Sequence, residues 1–432
     1  MKWSVALVAL AVLAVAGVSR RLSGTAVTAA MVFVAIGVLI GPEVADEVNP
    51  SPSGEAVRTL AEATLALVLF ADASRIRLDA LRREYVVPLR LLGVGLPLTI
   101  AVGALLAAAV FTQLTIAEAL VLAVLLAPTD AALGQAVVTD PRLPSRISQG
   151  LNVESGLNDG ICVPLLFIVL AAADVESHVE GAHHAFTIVA EEIGYGILGG
   201  AGAGLLVAAV VRIGRREGLI ADSWLRVVPV AGAALSYGVA AALGGSGFIA
   251  AFLAGMLFGA LVHESDEASR FSDTLGELLD GVTFLAFGAV LLGPALAHLS
   301  WSIFGYAVLS LTVVRILPVA IAMIGTGASR PTVAFLGWFG PRGLASIVFA
   351  VIVVEQSQLP HVQTILLTTY VTVGLSVFAH GLSAVPLADR YAKWYRSHPR
   401  DRVPTMESAP AATHRSRGSI APAPQETVGA QS

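Results

Sequence analysis

VESGLNDG (residues 153–160) runs without pause into ICVPLLFIVLAAA (residues 161–173). Two carboxylates, an amide and a hydroxyl therefore open a segment that is otherwise ready to enter a bilayer. On a helix, Ser155 and Asp159 stand four residues apart, as do Glu154 and Asn158, so the four side chains form two adjacent stripes on one broad face. With a span read over about 147–172, Asp159 lies about twelve residues in. At that depth desolvation penalises the charged carboxylate, and the group can hold either a proton or a small cation. Competition between the two at one site is all that an exchanger requires.

The rest of the chain sets that segment in a membrane. Of 432 residues 56% are hydrophobic and 13% charged, about half the charged share of a soluble domain, which is about 25%. Apolar stretches near 20 residues recur from end to end, the length that crosses about 30 Å of hydrocarbon as a helix. The short alternating segments of a β-barrel are not seen. An all-α polytopic membrane protein follows, with about thirteen transmembrane helices at roughly 3–19, 25–41, 58–76, 87–111, 118–138, 147–172, 187–211, 226–243, 246–261, 273–297, 301–325, 333–354 and 362–385. One cysteine, Cys162, precludes a disulfide framework within the chain.

Loop charge checks the count. Basic residues follow the odd spans: Arg20 and Arg21; Arg75, Arg77, Arg82 and Arg83; Arg142 and Arg146; Arg212, Arg215 and Arg216; Arg270; Arg330; then RYAKWYRSHPRDR (390–402). The loops after even spans, GPEVADEVNPSPSGEA, TQLTIAE, DVESHVEGAHHA and EQSQLPH, are acidic or neutral. The positive-inside rule then puts the N-terminus outside and the C-terminus in the cytoplasm, most simply at the plasma membrane. Lys2 and the apolar run after it resemble a signal peptide, but the stronger basic pair lies after the run and favours an uncleaved first helix. Two regions result: a transmembrane domain over 1–390 and a cytoplasmic tail over 391–432. From about His398 the tail is rich in Pro, Ala, Ser and charge, a composition expected to be disordered.

Charged groups inside spans cost about 2.5–3.5 kcal/mol each on insertion scales. Asp72, Asp130, Glu154, Asp159, Arg315 and Arg342 nevertheless converge near or slightly cytoplasmic of the midplane, on five spans. APTDAALG (127–134) adds a second feature. Pro128 lacks a backbone donor and disfavours helix at Ala127, so the fifth span is expected to break at 127–130. FGPRG (339–343) interrupts the twelfth span in a matching way. Paired breaks in corresponding positions of two halves point to inverted repeats with the binding site between them. Simpler roles stand beside these: a proline kink that only packs, Asp130 capping a half-helix, and Glu154 with Arg315 as a buried ion pair that only fixes helix positions. YGILGGAGAGLL (195–206) suits close helix approach.

TD in a broken span, ESGLND one span later, RILP, and GPRG near the end together resemble the sodium/proton exchangers of the NhaP and eukaryotic branch of the monovalent cation:proton antiporters, over about residues 1–390. The resemblance implies the sodium/proton antiporter fold, with inverted repeats and two broken crossing helices, and homodimers in which a core domain moves against a dimerisation domain. It implies Asp159 as the essential ion- and proton-binding carboxylate, with Asp130, Ser155 and the backbone carbonyl of Thr129 as further ligands, so that Na+ sits at Asp130, Ser155 and Asp159. Asn158 matches the amide of electroneutral members, Glu154 and Arg315 match an ion pair between core helices, and Arg342 matches the charge-balancing basic residue of the second break. Asp72 falls where members place an acid near the cation, although FADASR departs from the usual pattern. The function implied is Na+ (or Li+) for H+ exchange, with the monovalent cation, the proton and membrane lipid as partners and no cofactor or nucleic acid. A K+/H+ antiporter of the same fold, a gated cation channel and a sensor are the alternatives. An intramembrane aspartyl protease would need a GxGD element, and GLND is not one.

Overall fold

The protein is described by a computed structural model over residues 2–22, 25–42, 54–76, 85–130, 132–177, 182–262, 266–356, 359–397 and 405–408. Among these residues the secondary structure is helical, with no strand. In chain order the main helices are α1 (Lys2–Leu22), α2 (Ala29–Ile40), α3 (Gly54–Arg75), α4 (Val86–Val110), α5 (Ile116–Leu125), α6 (Ser145–Ser177), α7 (Ala182–Arg216), α8 (Val228–Ala242), α9 (Gly247–Leu261), α10 (residues 266–297), α11 (Trp301–Ala322), α12 (Arg330–Trp338), α13 (Leu344–Gln356), α14 (Val362–Ser397) and α15 (Thr405–Ser408). Helix therefore occupies each of the thirteen expected stretches. Six of the helices, α4, α6, α7, α10, α11 and α14, are long and apolar enough to cross a membrane on those grounds alone.

Local chemistry sets the helix starts. Thr28, Ser246, Ser300 and Ser329 each accept a hydrogen bond from a first-turn amide of the helix that follows. Thr115 and Glu118 form a reciprocal capping box at α5, so two amides that the helix cannot bond itself are satisfied.

Two groups of helices build the molecule. α1–α3 pack with α7–α10, and α4–α6 pack with α11–α14, so each group draws on both halves of the chain. The groups meet where α6 lies against α3, α7 and α9, where α13 lies against α3, and where α14 lies against α2 and α10. The glycines of 195–206 act within the first group. A Cβ on Gly200 would stand 2.6 Å from the Ala250 carbonyl oxygen, and one on Gly204 would stand 2.8 Å from Ala254 Cα, so α7 and α9 touch backbone to backbone.

Both expected breaks are present. α5 ends at Leu125 and helix resumes only for Gln135–Val138; α12 ends at Trp338 and α13 starts at Leu344. Beyond α14, most of the tail lies outside the described residues. Four residues from the region expected to lack structure, Thr405–Ser408, form a helical turn instead. Met406 and Glu407 are buried there, and the Glu407 carboxylate accepts hydrogen bonds from Ser329 N–H (2.9 Å) and from the Thr332 hydroxyl.

Candidate functional site

A helix that stops inside a protein leaves its last carbonyls and first amides without partners, and carries partial negative and positive charge at those ends. The two breaks resolve this by exchanging charged side chains. Arg342, from the second break, is fully buried and donates through Nη1 to the carbonyls of Ala127 and Pro128 (3.0 Å to Pro128), just past the C-terminal end of α5. Asp130, from the first break, accepts from Leu344 N–H (3.1 Å) at the N-terminal end of α13 and from Ala132 N–H (2.8 Å). Its own N–H donates to the Pro341 carbonyl (2.8 Å), which stitches the two breaks together. Asp130 thus caps a half-helix, the simpler of the roles open to it, from a position that also borders the site.

The glycines of FGPRG are explained by the same crossing. A Cβ on Gly343 would collide with the Asp130 carboxylate, and one on Gly340 would collide with the Arg315 guanidinium. Each glycine makes room for one charged group.

α6 brings its polar face to the first break. Ser155 Oγ donates to the Thr129 carbonyl and Asn158 Nδ2 donates to Thr129 Oγ1 (2.6 Å). Ser155 is 6% exposed, Asn158 1% and Asp159 9%. Because the Ser155 hydroxyl spends its hydrogen on Thr129, its lone pairs remain for another partner. Thr129, Asp130 and Ser155 share a small cavity of about 20 Å³, walled by Gly134, Val137, Val138, Leu151, Phe339 and Pro341. Asp159, one helical turn beyond Ser155 on α6, is itself buried and is not among the residues that line the cavity.

Glu154, on the neighbouring stripe, meets Arg315 of α11 in a bidentate pair of 2.6 and 2.8 Å, both side chains 3% exposed. Asp72 lies against α6 at Gly156. Its carboxylate binds Arg75 (3.0 Å), which also reaches Asp273 on α10, and it is not among the cavity's lining residues. Six of the expected site residues (Thr129, Asp130, Ser155, Asn158, Asp159 and Arg342) are therefore grouped at the crossing, Glu154 and Arg315 brace it, and Asp72 belongs to a neighbouring charge network.

Two buried residues at the crossing escaped the sequence reading. Ser376 Oγ accepts Arg342 N–H (2.6 Å), and His380 Nε2 stands 2.9 Å from the Trp338 carbonyl. A histidine in the middle of an apolar span was the available signal. Among the described residues, no cluster of three or more His, Cys, Asp or Glu is placed to hold a metal ion.

Fold and crossing together define a polytopic helical membrane protein organised around two interlocked broken helices. The family model for the transmembrane region of sodium/hydrogen exchangers matches residues 7–390, and the chain belongs to that family. It is 26% identical over 381 residues to the K(+)/H(+) antiporter NhaP2 of Shewanella baltica, covering 84% of this chain and 62% of that one. To a Na(+)/H(+) antiporter of Schizosaccharomyces pombe it is 26% identical over 259 residues, 56% and 55% of the two chains. The chain thus spans about three fifths of the length of the curated relatives it matches. The sodium proton antiporter MjNhaP1 of Methanocaldococcus jannaschii, solved at pH 8, superposes with a TM-score of 0.73 over 90% of this chain and 98% of that one, at 20% identity, a likeness of fold.

Proposed function

We propose that the chain is a secondary active antiporter that exchanges Na+ (or Li+) for H+ by alternating access, with cation and proton competing at Asp159. The observation that carries this is the cavity of about 20 Å³ bordered by Thr129, Asp130 and Ser155, one helical turn from Asp159. Such a space holds about one water-sized sphere. Hard oxygen donors around it suit a small monovalent cation and leave no place for a large solute.

On one side of the membrane Asp159 releases its proton, and the carboxylate takes the cation together with the Thr129 carbonyl, the Ser155 hydroxyl and Asp130. On the other side a proton displaces the cation. The carboxylate is neutralised by one unit charge in either state, and Asn158 adds none, so one proton per cation is the natural stoichiometry. Arg342 and Asp130 stay engaged with the ends of α5 and α13, which lets the interrupted backbone remain stable while the occupant changes. Thirteen crossings with the N-terminus outside and the C-terminus in the cytoplasm of the plasma membrane, and a homodimer whose core group of helices moves against the other, complete the proposal. The kinship with a K(+)/H(+) antiporter favours K+ as the second reading.

Proteoliposomes with an acid interior test the exchange. Addition of Na+, Li+ or K+ outside is expected to alkalinise the interior, and the order of the rates ranks the cations. Flux of cation without proton movement would favour a channel and remove the antiport reading.

A further inference from the structure

One neighbouring helix holds both lips of the second break. Arg342 N–H, on the α13 side, donates to Ser376 Oγ at 2.6 Å. The Trp338 carbonyl, at the end of α12, faces His380 Nε2 at 2.9 Å. Ser376 and His380 are 0% and 1% exposed, and both lie on α14. Since the Trp338 oxygen can only accept, Nε2 carries the hydrogen. His380 Nδ1 lies 3.2 Å from the Ser376 hydroxyl oxygen and 3.0 Å from the Ser376 carbonyl oxygen. The Trp338 ring lies tilted against the imidazole with centroids 5.1 Å apart, and its Nε1 donates to Ser383 Oγ (2.9 Å), one turn along α14.

We infer that Ser376 and His380 are positioning residues for ion binding: a clamp on α14 that fixes the span of the second break and, through it, the placement of Arg342 and Asp130. This rests on the antiport reading given above. The physical reason is spacing. Residues four apart on a helix share a face and differ by about 6 Å of rise. The unbroken α14 therefore acts as a ruler for the two backbone groups, Trp338 C=O and Arg342 N–H, that flank the non-helical stretch. Both are helix-end groups that the break deprives of their usual intrahelical partners, and the Trp338 carbonyl also accepts Gly340 N–H (2.9 Å) within the break. Arg342 next reaches the Ala127 and Pro128 carbonyls, and Leu344 N–H reaches Asp130, so an error in the break's span is passed to both walls of the cation cavity. Ser376 and His380 do not line that cavity. They act through the break alone.

The test uses the full chain with His380→Leu, His380→Gln and Ser376→Ala, read in two ways. Deuterium uptake over residues 339–344 reads the clamp without reference to transport, and exchange in proteoliposomes reads its effect on the site. Leu at 380 is expected to speed uptake at the break and to raise the apparent KM for the cation about tenfold, the worth of one lost buried hydrogen bond. The maximal rate should stay near wild type. Gln keeps an N–H for the Trp338 carbonyl and should restore most of the affinity. Ser376→Ala should share the direction of the Leu variant, and it decides the matter should His380→Leu fail to fold. Unchanged uptake, or a lower maximal rate at unchanged KM, would overturn the clamp. Wild-type protein that exchanges no cation would instead overturn the antiport reading, with the deuterium data still deciding whether the clamp exists.

Discussion

At the scale of single residues, the division of labour on α6 makes distinct predictions for neighbouring positions. Asp159→Ala removes the only proposed group that binds cation and proton alternately. Exchange should fall to background while the protein inserts and melts like wild type; measurable proton-coupled flux in that variant would remove Asp159 from the site. Glu154 behaves differently, because its loss leaves Arg315 buried without its partner. Breaking a buried pair from one side costs about 3–5 kcal/mol, whereas replacing both members by apolar groups costs far less. Glu154→Ala should therefore lower the melting temperature more than Glu154→Leu with Arg315→Met, a comparison that thermal unfolding in detergent makes directly. This pair was legible in the sequence because Arg315 stands alone in an apolar run and Glu154 is one of the few acids read at the same depth. Asp72 shows the limit of that logic. Arg75 reads as an interfacial arginine closing the third span; its i,i+3 spacing permits the bond to Asp72, but nothing local says that it also reaches Asp273, 198 residues away in sequence.

Elements matter at the two breaks. Pro128, and Pro341 with Gly340 and Gly343, marked the two positions in the sequence, since a missing donor and a forbidden conformation are properties of single residues. How the breaks lock together was not legible. Asp130 on the Leu344 amide of α13 and Arg342 on the Ala127 and Pro128 carbonyls beyond α5 are contacts across more than 200 residues, and so is the docking of Gly343 against Asp130. Gly343→Ala tests that lock. Its methyl must displace the Asp130 carboxylate or open the crossing, a strain of about 1–3 kcal/mol. Reduced stability together with weaker cation binding is expected; wild-type affinity and melting would show that the crossing has slack. The tail gives a smaller case. Glu407 caps the start of α12 through Ser329 N–H, and Glu407→Ala should cost about 1 kcal/mol, the usual worth of a lost cap. Composition alone assigns those residues to a disordered tail, because a single docked turn is invisible to an average over thirty-five residues.

For the whole molecule, the proposed exchange has one carboxylate neutralised by either occupant while Asn158 contributes no charge. Exchange should then be indifferent to membrane potential: clamping proteoliposomes at different voltages should leave the rate unchanged, and a voltage-dependent rate would keep antiport but discard the one-for-one stoichiometry. The fold that supports this, two groups of helices each drawn from both halves of the chain, was foreshadowed by paired breaks and by loop charge, but the pairing of helices within each group needed the structure. The most direct test of the central claim is the apparent KM for the cation as a function of pH, measured in proteoliposomes at equal pH on both sides. Competition at Asp159 predicts that KM climbs as pH falls, by up to about tenfold per unit below the carboxyl's own pKa, while the rate at saturating cation is unchanged. A KM that stays flat while the saturating rate falls with pH would mean that proton and cation bind at different sites, and would contradict it.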